Sequence, residues 1–338
     1  MNRRTRRTLW VVAAVVLLLA VAVFLRSKAP PEAARLLPES DGILYVNFKP
    51  VRSALNKDLQ PPKRVPEYQK FIDATGIDWE RDLDQAAIAL HRMPNPNGPN
   101  GPVAYSMVLV GKLTGQKLNG WLNANATSRE IYAGQTIYNI PSEDRTVRVA
   151  QIGYDMVAIS NTPTTEQIHS MLDRHRTAAL PFSGSTLLSR HYNEVPLLSL
   201  AWGVGQIGLP FSESGAIKIL GFTLPLEADS TIIASVHWAG SLRLRVEEIA
   251  PSDAMASSQA SALTSLVALA SNFTAPLADN AANKGLKELL RTAQITQKRN
   301  RVVLTADLSP SLFSGFQMIE DASTKPASET GTGASKEH

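Results

Sequence analysis

The chain has 338 residues, 44% hydrophobic and 19% charged, and contains no cysteine. That length and apolar content can bury one large core or two ordinary ones, and the missing thiols exclude a disulfide scaffold, a cysteine-ligated metal or cluster and a cysteine nucleophile. The net charge of +4 is unevenly placed: residues 1–35 hold Arg3, Arg4, Arg6, Arg7, Arg26, Lys28 and Arg35 against Glu32, a net +6, so the remaining 303 residues carry −2 and offer no basic face for nucleic acid.

The first element in chain order reads as a membrane anchor. Leu9–Leu25 is a run of 17 residues without a charge, about 25 Å as a helix, slightly less than a hydrocarbon core. Leu9, Trp10, Leu17, Leu18, Leu19, Phe24 and Leu25 are the side chains expected to meet membrane lipid, with Trp10 at the interface. Arg3, Arg4, Arg6 and Arg7 precede the span and put residues 1–8 in the cytoplasm by the positive-inside rule. A cleaved signal peptide is the rival. It would need small residues before the cut, and Glu32 occupies that position for a cut after Ala34, so an uncleaved signal anchor is favoured. Residues 26–35, with Pro30 and Pro31, read as a short stiff stalk.

Beyond the stalk, residues 36–180 and 181–320 read as two α+β halves, and 321–338 as a disordered polar tail. In the first half, alternation predicts strands at Gly42–Phe48, Gln85–His91, Ala104–Lys112, Thr136–Ile140, Thr146–Ile152 and Met156–Ser160. Helices are predicted over Glu67–Thr75, Gly115–Asn125 and Pro163–Arg176. The second half repeats the order with strands at Pro196–Trp202, Thr231–Trp238, Leu242–Ile249 and Arg301–Leu308, a long Ser/Ala helix from Ser252 to about Ser271, and a last helix over Pro310–Met318. Ile43 and Tyr45 alternate with Leu44 and Val46, which predicts a first strand buried on both sides. The expected fold is α+β: antiparallel sheets with helices packed on one face, in two related halves from a duplicated module.

The run Leu36-Leu37-Pro38-Glu39-Ser40-Asp41-Gly42-Ile43-Leu44-Tyr45-Val46 directly follows the anchor and stalk. It resembles the opening of a family of bacterial membrane-anchored envelope proteins built on a domain of unknown function. In that family a Leu-Pro pair, a few small or acidic residues and a hydrophobic-Tyr-hydrophobic strand begin the exported module. The resemblance implies an extracytoplasmic α+β body, periplasmic or extracellular, and no catalytic residues.

The chemical motifs are sparse. Gly203-Val204-Gly205-Gln206-Ile207-Gly208 has dinucleotide-loop spacing, but Leu209-Pro210 follows where a helix N-terminus must meet the pyrophosphate, so a turn-rich bend after a strand is the better reading. His169 and Asp173 are four apart on one helix face, and two ligands do not make a metal site. A solvated face with Glu166 and Arg176 is expected instead. Asp82/Asp84 and Glu247/Glu248 are acidic pairs whose adjacency in sequence says nothing about convergence. His91 and His191 stand alone, and His237 sits in an apolar strand beside Trp238. Met255, Ala262, Leu263, Leu266, Leu269 and Ala270 form a stripe expected to pack on the sheet. No catalytic residue, cofactor or metal is expected. The function expected is a single-pass, membrane-anchored binding or scaffold protein of the bacterial envelope, with an envelope protein or lipid as partner and no nucleic acid. An envelope hydrolase using fold-assembled carboxylates, or a lipid carrier, are the alternatives.

Overall fold

The computed structural model describes residues 29–55, 66–98, 101–113, 115–143, 145–177, 184–206, 216–219, 222–225, 229–278 and 280–309. The expected anchor, the helix over Pro310–Met318 and the tail lie outside these residues. Among the described residues no helix is long and apolar enough to cross a membrane.

In chain order the first half runs α1 (Glu32–Leu36), β1 (Gly42–Asn47), α2 (Phe48–Leu55), α3 (Pro66–Thr75), α4 (Trp79–Asp82), β2 (Leu83–Arg92), β3 (Val103–Gly111), α5 (Gln116–Asn125), β4 (Ser128–Tyr132), β5 (Gln135–Ser142), β6 (Arg145–Ile152), β7 (Met156–Ser160) and α6 (Glu166–Thr177). The second half runs α7 (Thr186–His191), a 3₁₀ turn at Tyr192–Glu194, β8 (Ser199–Gln206), β9 (Ala216–Ile219), β10 (Phe222–Pro225), β11 (Thr231–Trp238), β12 (Leu242–Ile249), α8 (Asp253–Thr274), α9 (Ala281–Thr292), β13 (Gln294–Lys298) and β14 (Arg301–Asp307).

Twelve of these strands form one antiparallel sheet in the order β13-β14-β12-β11-β8-β1-β2-β3-β7-β6-β5-β4, with β9–β10 a separate hairpin. The fold is thus α+β on antiparallel sheet, as expected, with one large sheet carrying most of the strands. From the central β1–β8 seam outward, one arm reads β1-β2-β3-β7-β6-β5-β4 and the other β8-β11-β12-β14-β13. The seam pairs Gly42 with Gly205 and Val46 with Ala201.

The expectation of helices on one face is not met. Successive strand residues point to opposite faces, and in the first half both faces are apolar. Ala150, Ile152, Met156 and Ala158 belong to a core with Ile168, Met171 and Leu172 of α6 and Ala33, Ala34 and Leu36 of α1. Val149, Val157 and Leu109 belong to a second core with Leu118 and Leu122 of α5. The strand register carries this second face across the seam to Val302, which packs with Ala256 and Leu263 of α8. The first face carries α1, α6 and α7; the second carries α3, α5, α8 and α9.

Two further expectations change. The stalk is in part core: Ala33 and Ala34 are fully buried, because two adjacent alanines let a short helix lie close on the sheet. β1 is buried on the first face through Ile43 and Tyr45, but Leu44 on the second is 37% exposed. Its neighbour across the seam is Gly203, whose added Cβ would lie 2.7 Å from Leu44 Cδ2. Leu44 thus occupies the space a side chain at position 203 would need. Of the stripe on α8, Leu263 and Ala270 are buried while Met255 and Leu269 remain exposed.

Candidate functional site

The seam places Tyr45 of β1 directly opposite Trp202 of β8. Their rings stack at 5.4 Å and 25°, and Tyr192 meets Trp202 edge-on at 5.4 Å and 65°. Such arrangements stabilise by about 1 kcal/mol beyond area burial. Local sequence explains how Tyr192 gets there. Ser185 caps α7 by accepting from Leu188 N at 3.3 Å, the helix tightens into the 3₁₀ turn, and Pro196 follows it. Ser199 Oγ then donates to Pro196 O at 2.6 Å, closing the loop that leads into β8.

These residues enclose a cavity of about 170 Å³ lined by Tyr45, Tyr192, Trp202, Asn47, Asn193 and Pro31, with Leu197 and Leu198 as its lip. Burial, then the neighbouring Tyr192, pushes the Tyr45 hydroxyl up to about 12. Burial raises Tyr192 as well. Both phenols therefore stay protonated and can donate hydrogen bonds, and neither can act as a base near neutrality. Aromatic faces, two amides and two phenol hydroxyls suit a neutral ring or short chain with a hydrogen-bonding group. Leu198 has φ +61°, a conformation few side chains adopt, and is 77% exposed. Ala133, Glu143, Asp229 and Arg299 share this left-handed backbone, and each of them lies in a turn or at a strand end.

The wall is tied to the far strands by charge. Arg301 of β14 donates to Glu194 at 3.0 Å and to Glu247 at 2.6 Å, and Arg245 donates to the other oxygen of Glu247 at 2.7 Å. Glu247 is 2% exposed. Its neighbour Glu248 is also buried, but adjacency on one strand sends the two to opposite faces. The acidic pair does not converge.

A second, more open cleft of about 580 Å³ lies at the other end of the first-face core, lined by Glu39, Asp41, His91, Thr162 and Glu166 among others. Here the structure assembles what the sequence left apart. His91 Nε2 lies 2.9 Å from Ser106 Oγ, which lies 3.2 Å from Ser160 Oγ, itself 2.8 Å from Thr162 Oγ1. Burial holds this imidazole below the ordinary histidine value, against smaller opposing contributions from Asp41 and the Glu39 backbone. Ser106 and Ser160 are fully buried, so no substrate atom can reach either hydroxyl. The chain satisfies buried polar groups and does not form a nucleophile. Glu39 accepts from Arg174 at 3.0 Å and Thr186 N at 2.8 Å, and Asp41 accepts from Arg92 N at 2.7 Å.

Burial pushes His91, His191 and His237 below the ordinary histidine value, in His237 with help from Arg243 and Arg245. The unfolded chain then binds protons below the unfolded value of about 6.5 while the folded chain resists them, so stability falls as pH falls through that point. Asp82 and Glu288 are shifted down from 3.8 and 4.5, and their losses begin lower. Urea midpoints should therefore drop between pH 7 and pH 5. His91→Gln, which keeps a polar partner for Ser106 and does not titrate, should flatten part of that drop; an unchanged slope would refute the assignment.

The other sequence candidates resolve as structural. The anchor and topology residues Leu9, Trp10, Leu17, Leu18, Leu19, Phe24, Leu25, Arg3, Arg4, Arg6 and Arg7 lie outside the described residues. Gly203–Gln206 is not a bend but the continuation of β8, since the close approach of Leu44 there suits glycine. Glu166, Asp173 and Arg176 are exposed as expected, and His169 beside them is half-buried: it bonds Glu130 at 2.8 Å and stacks on Tyr132 at 3.8 Å, while Tyr132 donates to Asp173 at 2.7 Å. The pair clasps the edge strand β4. Asp82 accepts from Arg81 at 2.9 Å, and Asp84 pairs with Lys49 and Arg52. Among the described residues no group of three His, Asp or Glu could hold a metal. The aromatic cavity itself was not legible: Tyr45 lies about half the chain away from Tyr192 and Trp202, and Pro196–Trp202 read simply as a strand.

No family model matches the chain, and no curated protein matches it in sequence. Among solved structures it is similar to crystal form III of TP0453, at 10% identity over 86% of this chain and 99% of that one, with a TM-score of 0.46. It is similar also to crystal form IV of TP0453, at 12% identity over 85% and 96%, with a TM-score of 0.43.

Proposed function

We propose that the chain is a single-pass, membrane-anchored binding protein of the bacterial cell envelope, its body outside the cytoplasm, and that the seam cavity holds a neutral ligand or the tip of an envelope partner. The observation that carries the reading is the lining of that cavity. Two phenols held in the protonated state, an indole and two amides bind and orient; they do not supply an acid–base pair. The anchor rests on Leu9–Leu25 and the arginines before it. The parallel between β1-β2-β3-β7-β6 and β8-β11-β12-β14-β13, with β5 and β4 extra on the first arm, supports descent from a duplicated module, and the Leu36–Val46 opening supports membership of the envelope family it resembles.

Two measurements test this. The chain lacks cysteine, so Ser142→Cys introduces a unique thiol at an exposed position. A membrane-impermeant maleimide should label it in intact cells stripped of outer barriers; labelling only after lysis would overturn the topology. In detergent, p-cresol should change tryptophan emission saturably, and p-hydroxybenzoate, whose charge must be desolvated, should bind at least about tenfold more weakly. Trp202→Phe, read by titration calorimetry because it removes the reporting indole, should weaken p-cresol by a similar factor. Equal response to both probes would refute a site selective for neutral ligands.

A further inference from the structure

Sheet register puts several exposed apolar side chains at one end of the molecule. Asn47 pairs with Gln85 at the start of β2, and Val110 near the end of β3 pairs with Met156 at the start of β7. Across the seam, Val46 pairs with Ala201 near the start of β8, and Trp238 closes β11 opposite Leu242. The Leu197-Leu198 lip, Trp238 and the Gly153–Asp155 turn carrying Tyr154 therefore share this end. Tyr154 is 94% exposed, Leu198 77%, Trp238 59% and Leu197 49%. The opposite end exposes Asn95, Asn97, Ser142, Glu143, Asp229 and Arg299.

The chain enters the body at the apolar end. Pro31 lines the cavity beside Asn47, Leu197 and Leu198, and α1 runs from there toward Asp41, whose N–H bonds Leu90 O at the polar end. Only residues 26–30 separate Pro31 from Leu25, the last residue of the apolar run. At no more than about 3.5 Å per residue, they hold Pro31 within roughly 20 Å of that run.

We infer that this end of the sheet rests on the lipid bilayer, with Leu198, Leu197, Trp238 and Tyr154 entering the interface and the cavity mouth opening against it. The inference rests on the anchored reading proposed above. Indole, phenol and leucine are the side chains that favour the headgroup boundary. A tether this short, attached beside the cavity, presents this end and no other to the membrane. Contact with lipid also accounts for an exposed leucine kept in a left-handed turn: the backbone strain is offset when the side chain leaves water.

The test uses the full chain in vesicles of phosphatidylethanolamine and phosphatidylglycerol. Leu198→Cys, Tyr154→Cys, Ser142→Cys and Val16→Cys are each labelled with an environment-sensitive fluorophore, and lipids carrying nitroxide on the acyl chain are added as quencher. Urea midpoints confirm that each labelled variant is folded. Positions 16, 198 and 154 should be quenched about twofold or more, and position 142 not at all. Quenching at 16 alone would overturn the inference and leave the anchor standing. Absence of quenching at 16 would overturn the anchored reading itself. A position 198 shielded from aqueous iodide yet unquenched by lipid would show that protein covers the lip, and would also refute the bilayer contact.

Discussion

Gly111→Ala is expected to lower the unfolding free energy by more than about 4 kcal/mol, enough to leave a marginal protein largely unfolded. A Cβ on Gly111 would lie 2.0 Å from the Asp82 carbonyl oxygen and 3.0 Å from both the Asp82 carbonyl carbon and Asp84 N. All three are backbone atoms, so no rotamer change relieves the clash. The backbone is pinned as well. The Asp82 carbonyl accepts from Lys112 N at 2.8 Å, the Asp82 side chain accepts from Asp78 N at 3.0 Å, and Arg52 bonds the Leu83 carbonyl at 2.9 Å and Asp84 at 2.8 Å. The register slip between Leu83 and Gln85 is what brings β2 so close to the end of β3. Gly120→Ala is the matched control. Position 120 lies within α5 with nothing near its added methyl, so alanine should stabilise by up to about 1 kcal/mol. Urea unfolding followed by circular dichroism reads both. A Gly111→Ala protein within about 1 kcal/mol of the parent would mean the slip is not held as described.

Arg301→Met should cost about 3 kcal/mol, and the order of effects among its neighbours is the sharper test. Glu247 is almost wholly buried, whereas Arg301 and Arg245 keep about a third of their side chains in water. Removing Arg301 leaves a buried carboxylate with one partner, which is costly. Glu247→Leu leaves two guanidinium groups that can turn to solvent, which is cheaper. The double variant Arg301→Met with Glu247→Leu should therefore be more stable than Arg301→Met alone. A double variant worse than either single would refute the argument. Because Arg301 also holds Glu194, Arg301→Met should loosen the 3₁₀ turn carrying Tyr192 and weaken p-cresol binding by a greater factor than Gly120→Ala does.

Much of the backbone plan was readable. Met156–Ser160, Thr231–Trp238 and Leu242–Ile249 occur as expected, because each is a short run rich in apolar and β-branched residues bounded by a turn or a Pro/Ser/Asn-rich segment. β4 escaped notice since Ser128–Tyr132 is polar on both sides, as an edge strand can be. α1 escaped because its alanines, following Pro30 and Pro31, read as linker, while its burial comes from contacts with β2, β3 and α6 farther along the chain. One-faced helix packing failed for a related reason. Half-buried strands such as Arg145–Ile152 put small apolar residues on both sides, and sequence alone does not tell which side a helix will cover. The site was least legible of all, being made by pairing strands about half the chain apart.

That pairing has a consequence for biogenesis. The inner arm of the first half can close on itself as soon as β7 is available, yet the outer side of β1 remains an unsatisfied edge until residues 201–205 arrive. Long-range pairing of this kind is slow, and an open edge invites annealing with whatever strand comes first. Two chains emerging side by side could each lend a β8 to the other's β1, giving a swapped dimer with every seam contact preserved. Delivery of one chain at a time, or a holdase that shields Gly42–Asn47 until β8 has emerged, would favour the self-paired product.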